Sequence, residues 1–144
     1  IGDWSSDVCS SDLSLWKKLL ILLLLTVFAN AADIKWEKDL NAAFDASDKS
    51  GKPMMVVMYK EHCRYCVYLD KNTLADETVS KHVNQNYVAV RLNVQRDAYP
   101  QALAVNGTPA VFILEKQKNG KYSKVDKIMG YLPPMEFLPR ISAK

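Results

Sequence analysis

The chain has 144 residues, of which 49% are hydrophobic and 24% are charged, and its formal net charge at pH 7 is +3. This length is enough for one domain with an ordinary hydrophobic core, so folding requires neither a metal ion nor disulfide cross-links. The positive excess is small, and its densest lysine group surrounds a predicted turn, which argues against a nucleic-acid-binding surface.

The first part of the chain does not resemble a natural protein segment. Ser5-Ser6-Asp7 recurs as Ser10-Ser11-Asp12, and residues 7–13 match the translation of a common sequencing adapter. We therefore predict that residues 1–14 are a non-native tail, with an ordinary N-terminal segment as the alternative. We assign no function to Cys9 in either case.

Residues 15–31 have the pattern of a secretory signal peptide. Lys17-Lys18 provides the positive start, residues 19–28 form the apolar run, and Ala29-Asn30-Ala31 offers a cleavage site. The apolar run is shorter than the roughly 20 residues that span a bilayer. We expect cleavage after this site and export to the periplasm or the exterior, with an uncleaved membrane anchor as the alternative.

Residues 32–144 are predicted to form a single domain, which we expect to be monomeric. This part holds 17 basic and 13 acidic side chains, a net charge of about +4, and its only cysteines are Cys63 and Cys66. An exported domain with only two cysteines, three positions apart, is not cross-linked for stability. We therefore expect these cysteines to react.

Strands are predicted from apolar and β-branched runs at residues 54–59, 87–93, 109–115 and 122–129. The first run is apolar without alternation, as expected for a strand that is covered on both faces of a sheet. Asn119-Gly120 is a strong signal for a hairpin turn between the last two strands.

Helices are predicted between these strands. The first is capped by Asp33 and reaches Ser47, because an apolar stripe at helical spacing is formed by Trp36, Leu40, Ala43 and Phe44. A second helix runs from the cysteine pair to Leu74, and a third begins at Asp76 with Val79 and Val83 on one side. A short helix is predicted from Pro100 to about Gly107. The last helix begins near Pro133, and Pro139 should shorten or kink it. Alternating helices and strands that end in an antiparallel hairpin indicate an α/β sandwich around a mixed sheet.

The cysteine pair lies at the start of a predicted helix, directly after the first predicted strand. Cysteines at positions i and i+3 share one helix face and are within disulfide reach. The amides and positive dipole at a helix start favour a thiolate at Cys63, and positive charge on Arg64 and on protonated His62 would lower its pKa further. This arrangement suits a reversible dithiol/disulfide couple, with Cys63 attacking and Cys66 resolving the mixed disulfide.

Two other roles for the pair remain open. It could be a structural disulfide, or half of a zinc site completed by His62 and His82. No second C-x-x-C or H-x-x-x-H pattern is present, which disfavours zinc. We expect no metal and no cofactor other than the redox-active disulfide of Cys63 and Cys66.

Four further stretches form a recognisable set of motifs, namely residues 54–66, 88–94, 107–110 and 130–138, and Pro109 follows Cys63 by 46 positions. With these motifs, residues 34–142 resemble the thioredoxin superfamily, in which the gap between cysteine and proline is usually close to this value. The resemblance is chiefly to secreted bacterial members and, less closely, to those that accompany sulfur-oxidation systems. The resemblance implies a thioredoxin fold, with a mixed central β-sheet flanked by helices, a C-terminal β-hairpin and a final helix.

The resemblance also implies roles for residues near the cysteines. Pro109 would be held in cis facing the disulfide, and Thr108 before it would pair with the substrate backbone as an added strand. An ordinary trans proline is the alternative. Tyr65 would contact substrate, or would be an exposed aromatic without function.

The chain departs from the family at one position. Thioredoxins carry a buried aspartate six residues before the first cysteine, and Val57 occupies that position here. Arg91 matches the family's basic residue on the following strand. We expect Glu61 to be too exposed to replace the missing acid, so the resolving step would rely on water.

These observations predict an exported thiol-disulfide oxidoreductase that reduces its substrates. The alternatives are a disulfide-forming oxidase and a non-catalytic binding module with a thioredoxin fold. The expected partners are protein or small thiol and disulfide substrates and a membrane-borne electron donor, but not nucleic acid.

Overall fold

The computed structural model describes residues 33–142, so the predictions for residues 1–14 and 15–31 lie outside the described part. Five strands form one sheet in the order β1-β3-β2-β4-β5. The strands are β1 (Trp36–Glu37), β2 (Met54–Tyr59), β3 (Val88–Asn93), β4 (Ala110–Lys116) and β5 (Tyr122–Met129). The helices are α1 (Leu40–Ser50), α2 (Arg64–Tyr68) with a π-helical extension (Leu69–Leu74), α3 (Glu77–Asn86), a short 3₁₀ turn (Gln101–Leu103) and α4 (Pro134–Ser142).

The sheet is mixed, as predicted. β1 and β2 both pair with β3 in parallel, whereas β4 is antiparallel to β2 and β5 is antiparallel to β4. Because β2 and β3 run in the same direction, their carboxyl ends meet at one edge of the sheet. The start of β4 and the end of β5 lie at that edge too, since Ala110 pairs with both Met58 and Met129.

Both faces of the central strand are buried, which explains its unbroken apolar run. Val56 and Met58 face one core with residues of α1, whereas Met55 and Val57 face a second core formed with the π-helical extension, α3 and α4. Successive side chains of a strand point to opposite faces, so a strand covered by helices on both sides has no polar alternation. The α/β sandwich predicted from the sequence is confirmed.

The prediction for the first helix was wrong at its start. Trp36 lies in β1, where it pairs with Ala89, and the helix is capped by Asp39, whose Oδ1 accepts a hydrogen bond from Ala42 N–H at 2.8 Å. Asp33 remains outside the helix because its carbonyl accepts a bond from the Asn84 side chain, which holds this segment extended. Tertiary contacts thus override the helical spacing of the apolar residues.

Two later helices also differ from the expectation. The segment after Pro100 forms only one 3₁₀ turn, which ends at Leu103. The last helix is short, as predicted, but it continues through Pro139. Phe137 and Ile141, on either side of that proline, are buried in the core, and their packing keeps the turn helical.

The remaining predicted elements are confirmed to within one or two residues. These are the four longer strands, α2 with its extension to Leu74, and α3 with its cap at Asp76. None of the helices between residues 33 and 142 has the length and apolar character needed to cross a membrane.

Candidate active site

A disulfide between Cys63 and Cys66 closes the first turn of α2, with the two Cα atoms 5.2 Å apart. Cys63 is the cap residue of this helix, and its Sγ accepts a hydrogen bond from the Cys66 N–H at 3.2 Å. His62, directly before it, has a φ of 56°, so the chain turns sharply between the end of β2 and the helix. The cap position directs a backbone N–H at the sulfur of Cys63, which would stabilise a thiolate there.

The segment before β4 lies against this disulfide. The Thr108–Pro109 peptide bond is cis, as the family resemblance implies. Thr108 Oγ1 is 3.4 Å from Cys63 Sγ, and the Thr108 carbonyl oxygen is 3.5 Å from the same sulfur. A disulfide sulfur has no hydrogen, so the hydroxyl is the donor in this contact. Cys63 therefore receives donors from both its own helix and Thr108.

Both cysteines are almost covered in the folded chain. Cys63 retains 7% of its accessible surface and Cys66 retains 4%. Their sulfur atoms lie at the sheet edge where the carboxyl ends of β2 and β3 meet. Thr108 and the start of α2 lie against the disulfide at this edge.

The two charged residues beside the cysteines, His62 and Arg64, differ in their contacts. His62 is exposed. Arg64 is also exposed, but its Nε donates a hydrogen bond to the Tyr68 hydroxyl at 2.8 Å, and its guanidinium lies over the Tyr68 ring. An effect of either charge on the Cys63 thiol remains a prediction.

Aromatic side chains continue from the disulfide along α2. Tyr65, between the two cysteines, is 58% exposed. Its ring meets the ring of Tyr68 edge to face, and Tyr68 meets Tyr131 in the same way, with centroids 6.1 Å apart in each pair. Tyr131 follows Gly130, whose N–H donates to the carbonyl of Pro109 at 2.8 Å.

An ion pair joins Arg91 of β3 to Asp70 of the π-helical extension, and only Arg91 was singled out from the sequence. Arg91 pairs in register with Val57, and its Nη2 is 2.7 Å from Oδ2 of Asp70. Asp70 follows Cys66 by four positions, so the two residues share one face of α2 and its extension. That spacing is the signal by which Asp70 could have been found.

Glu61 does not fill the place of the missing family acid. Its side chain is 55% exposed and pairs with Arg96 at 3.1 Å. This confirms the expectation that it is too exposed. Val57 itself is 1% exposed and lies in the same core cluster as Leu69, on the face covered by the active-site helix.

The lysine-rich hairpin lies at the opposite end of the sheet from the disulfide. Lys116 Nζ is 2.8 Å from the carboxylate of Asp48, which also accepts a hydrogen bond from Tyr122. These two bonds hold the pKa of Asp48 below its ordinary value. The hairpin charges thus contribute to local structure, in keeping with a solvated turn.

His82, which the zinc alternative would have joined to the cysteines, lies on α3. Its Nδ1 is 3.3 Å from Asn86 Nδ2, and its Nε2 is 3.4 Å from Ser142 Oγ on α4. Within residues 33–142, no three His, Cys, Asp or Glu side chains are grouped so that they could hold a metal ion.

Comparison with known proteins identifies relatives of this chain. A family model described as thioredoxin-like matches residues 35–116. The solution structure of a thioredoxin from Thermus thermophilus is similar at 27% identity and a TM-score of 0.67, covering 77% of this chain and 86% of that one. The oxidoreductase DsbH shares the fold at 15% identity and a TM-score of 0.60, covering 78% of this chain and 85% of that one.

One curated protein, anterior gradient protein 3 from Mus musculus, is 26% identical over 107 residues. The match covers 61% of this chain and 64% of that protein, so the chain spans less than two thirds of this relative's length.

Proposed function

Because this chain belongs to the thioredoxin-like family, we propose that it is an exported thiol-disulfide oxidoreductase that reduces disulfides in other proteins. The observation that carries the proposal is the Cys63–Cys66 disulfide at the start of α2, with the Thr108 hydroxyl and a backbone N–H both directed at Cys63 Sγ. A disulfide that only stabilised the fold would not need two donors on one sulfur.

The proposed reaction transfers two electrons from the dithiol to a substrate disulfide. The Cys63 thiolate attacks one substrate sulfur, the substrate disulfide breaks, and the other substrate sulfur leaves as a thiolate that takes a proton from water. Cys66, after losing its proton, attacks Cys63 Sγ and releases the second substrate thiol. The chain then contains the disulfide that the structure shows, and the substrate contains two thiols.

The donors at Cys63 suit both steps of this exchange. They stabilise the thiolate that attacks, and they stabilise it again as the leaving group when Cys66 resolves the mixed disulfide. No carboxyl group stands at Val57 to take the Cys66 proton, so we assign that role to water.

The direction of electron flow is the finer part of the proposal. A reductase must be recharged by an electron donor, which for an exported protein would be a membrane-borne carrier. Equilibration of the Cys63–Cys66 pair against glutathione measures the reduction potential. A value of about −270 mV supports a reductase, whereas about −120 mV supports a disulfide-forming oxidase instead.

Insulin reduction in the presence of dithiothreitol tests the proposed activity. The wild-type protein should accelerate precipitation of the insulin B chain, and Cys63→Ser should abolish the acceleration. Retention of insulin-reducing activity by Cys63→Ser would show that the nucleophile is misassigned. Inactivity of the wild-type protein in this assay and in glutathione exchange would favour a non-catalytic binding module.

A further inference from the structure

We propose that His62 is the acid that protonates the first substrate sulfur to leave. The inference rests on the proposed function and adds a catalytic residue to it. The Cys63 thiolate attacks one sulfur of the substrate disulfide, the bond between the two substrate sulfurs breaks, and its electron pair goes to the other sulfur. That sulfur then takes the proton of the protonated His62 ring instead of a proton from water. The ring is left neutral and regains its proton from the solvent.

The donors that lie at Cys63 do not serve the leaving sulfur. The Cys66 N–H and the Thr108 hydroxyl are 3.2 and 3.4 Å from Cys63 Sγ. In disulfide exchange the attacking, central and leaving sulfurs lie nearly in line, so the leaving sulfur is two sulfur–sulfur bonds, about 4 Å or more, from Cys63. A group that assists its departure must therefore lie on the solvent side of Cys63.

His62 lies on that side of the nucleophile. It is exposed, whereas Cys63 next to it retains 7% of its surface. Consecutive Cα atoms are about 3.8 Å apart, so an imidazole on the residue before Cys63 is long enough to reach the leaving sulfur. Within residues 33–142, no hydrogen bond or ion pair holds the His62 ring, so it can turn towards a substrate.

The backbone at His62 does not account for its side chain. Its φ is 56°, and no other residue except glycine has a positive φ in the part of the chain that the structure describes. Glycine would adopt this conformation without steric cost, so the turn between β2 and α2 does not itself require an imidazole. Strained conformations of this kind are concentrated at functional sites. A chemical role for the ring explains why a side chain stands at this position.

His62 is also the residue of this turn that is suited to proton transfer near neutral pH. Glu61 is paired with Arg96 at 3.1 Å, and Arg64 donates a hydrogen bond along α2. The remaining charged residues of the turn, and of the loop after β3 that contacts it, are Lys60 and Asp97. Lysine and arginine ordinarily keep their protons near neutral pH, and ionised aspartate and glutamate have none to give. Histidine ordinarily gains and loses a proton between about pH 5 and 8.

Two uncharged disulfides test this proposal. Dithiodipyridine releases an aromatic sulfur that is stable without a proton donor, whereas hydroxyethyl disulfide releases a basic aliphatic thiolate, which leaves more slowly. The reduced protein carries Cys66→Ser, so only the first attack by Cys63 is observed, and adduct formation at pH 7 is followed by acid quench and intact mass. Both rates contain the same thiolate fraction of Cys63, so their ratio reports on the leaving sulfur.

His62→Asn should slow only the aliphatic reaction. We expect about a tenfold loss with hydroxyethyl disulfide, at the low end of general acid catalysis because a thiolate also leaves unaided, and less than about a twofold change with dithiodipyridine. Asparagine accepts a positive φ, so this variant should fold. His62→Gly, which relaxes the turn, should give the same pattern. His82→Asn, the same substitution on α3, should change neither rate.

The ratio of the aliphatic rate to the aromatic rate should depend on pH only when His62 is present. As the pH rises from 6 to 9, the ring loses its proton, and the ratio should fall to the value for His62→Asn. The ratio for His62→Asn should stay constant over this range. Ionisation of Cys63 affects both rates equally and cancels from the ratio.

The outcomes separate this proposal from the proposed function. If His62→Asn slows both reactions by the same factor, the ring acts through its charge on the Cys63 thiolate, and the proposal is overturned. If His62→Asn changes neither rate, the proposal is likewise overturned, although the exchange activity stands. If the reduced protein reacts with neither disulfide, both proposals fail.

Discussion

The guanidinium of Arg91 on β3 is bound to the carboxylate of Asp70, which lies one helical turn beyond the second cysteine. The family resemblance implies a buried acid at the position of Val57 on β2, which pairs in register with Arg91. Here the carboxylate that pairs with Arg91 comes instead from Asp70, on the extension of α2. The Arg91 guanidinium also lies over two rings, 4.7 Å from the centroid of Tyr59 and 5.4 Å from that of Trp36. The pair therefore ties the active-site helix to the sheet.

Asp70→Asn should weaken this connection. The side chains of the pair are about one third exposed, so loss of its charge-assisted hydrogen bond should lower the free energy of unfolding by about 1–2 kcal/mol. Glu61→Gln is the matched control, because it changes an acid to its amide in an exposed pair with Arg96 and should cost less than about 1 kcal/mol. Urea denaturation measures both, and equal losses would contradict a structural role for Asp70.

Thr108→Val should reduce the reactivity of Cys63 without removing it. The substitution deletes the hydroxyl that donates to Cys63 Sγ and keeps the size of the side chain. A smaller fraction of Cys63 is then thiolate at pH 7, so iodoacetamide should alkylate the reduced protein about tenfold more slowly. Thr108→Ser retains the hydroxyl and should react at nearly the wild-type rate. A fast Thr108→Val variant would show that the hydroxyl does not act on the thiolate.

Val57→Asp should restore a proton acceptor below the cysteines. Stopped-flow measurements should show faster release of the mixed disulfide near neutral pH than in the wild-type protein. Val57→Asn is the control, because it is polar and of similar size but cannot take the proton. If Val57→Asn accelerates release equally, proton acceptance is not the reason.

The same Val57→Asp change should destabilise the fold in a pH-dependent way. Burial raises the pKa of the new carboxyl above the value of about 3.9 that it has in the unfolded chain, and it costs on the order of a few kcal/mol. The stability loss relative to the wild-type protein is then smallest below pH 4 and grows as the pH rises towards the folded-state pKa, because over this range only the unfolded state ionises readily. A stability loss that is constant from pH 4 to 8 would contradict burial of this site.

Export can be tested by expressing residues 15–144 behind a new start methionine in a bacterial host. The predicted cleavage after Ala31 should give a periplasmic product whose measured mass is that of a chain beginning at Ala32. A mass that still includes residues 19–28 would favour the membrane anchor.

Local signals were sufficient for most of the fold. The strand at residues 54–59 could be predicted because its apolar run is bounded by Pro53 and Lys60, and the hairpin because Asn119-Gly120 favours a tight turn. β1 could not be predicted, since two residues carry no strand pattern and Trp36 happens to continue the helical spacing of Leu40. Only pairing with β3 decides its conformation.

The site shows the same division between local and long-range information. Cys63 and Cys66 follow from a four-residue motif. Asp70 does not, because its place beside the site depends on its contact with Arg91, which lies 21 residues along the chain. Such contacts exist only once the sheet and the active-site helix are assembled.

The central claim is that Cys63 exchanges disulfides and Cys66 resolves them, and the two single-cysteine variants test it most directly. Residues 32–144 carrying Cys66→Ser or Cys63→Ser are incubated with glutathione disulfide at pH 7, and their intact masses are measured. We predict that Cys66→Ser acquires one glutathione, which dithiothreitol removes, and that Cys63→Ser acquires almost none. No adduct on Cys66→Ser, or an equal adduct on Cys63→Ser, would contradict the account.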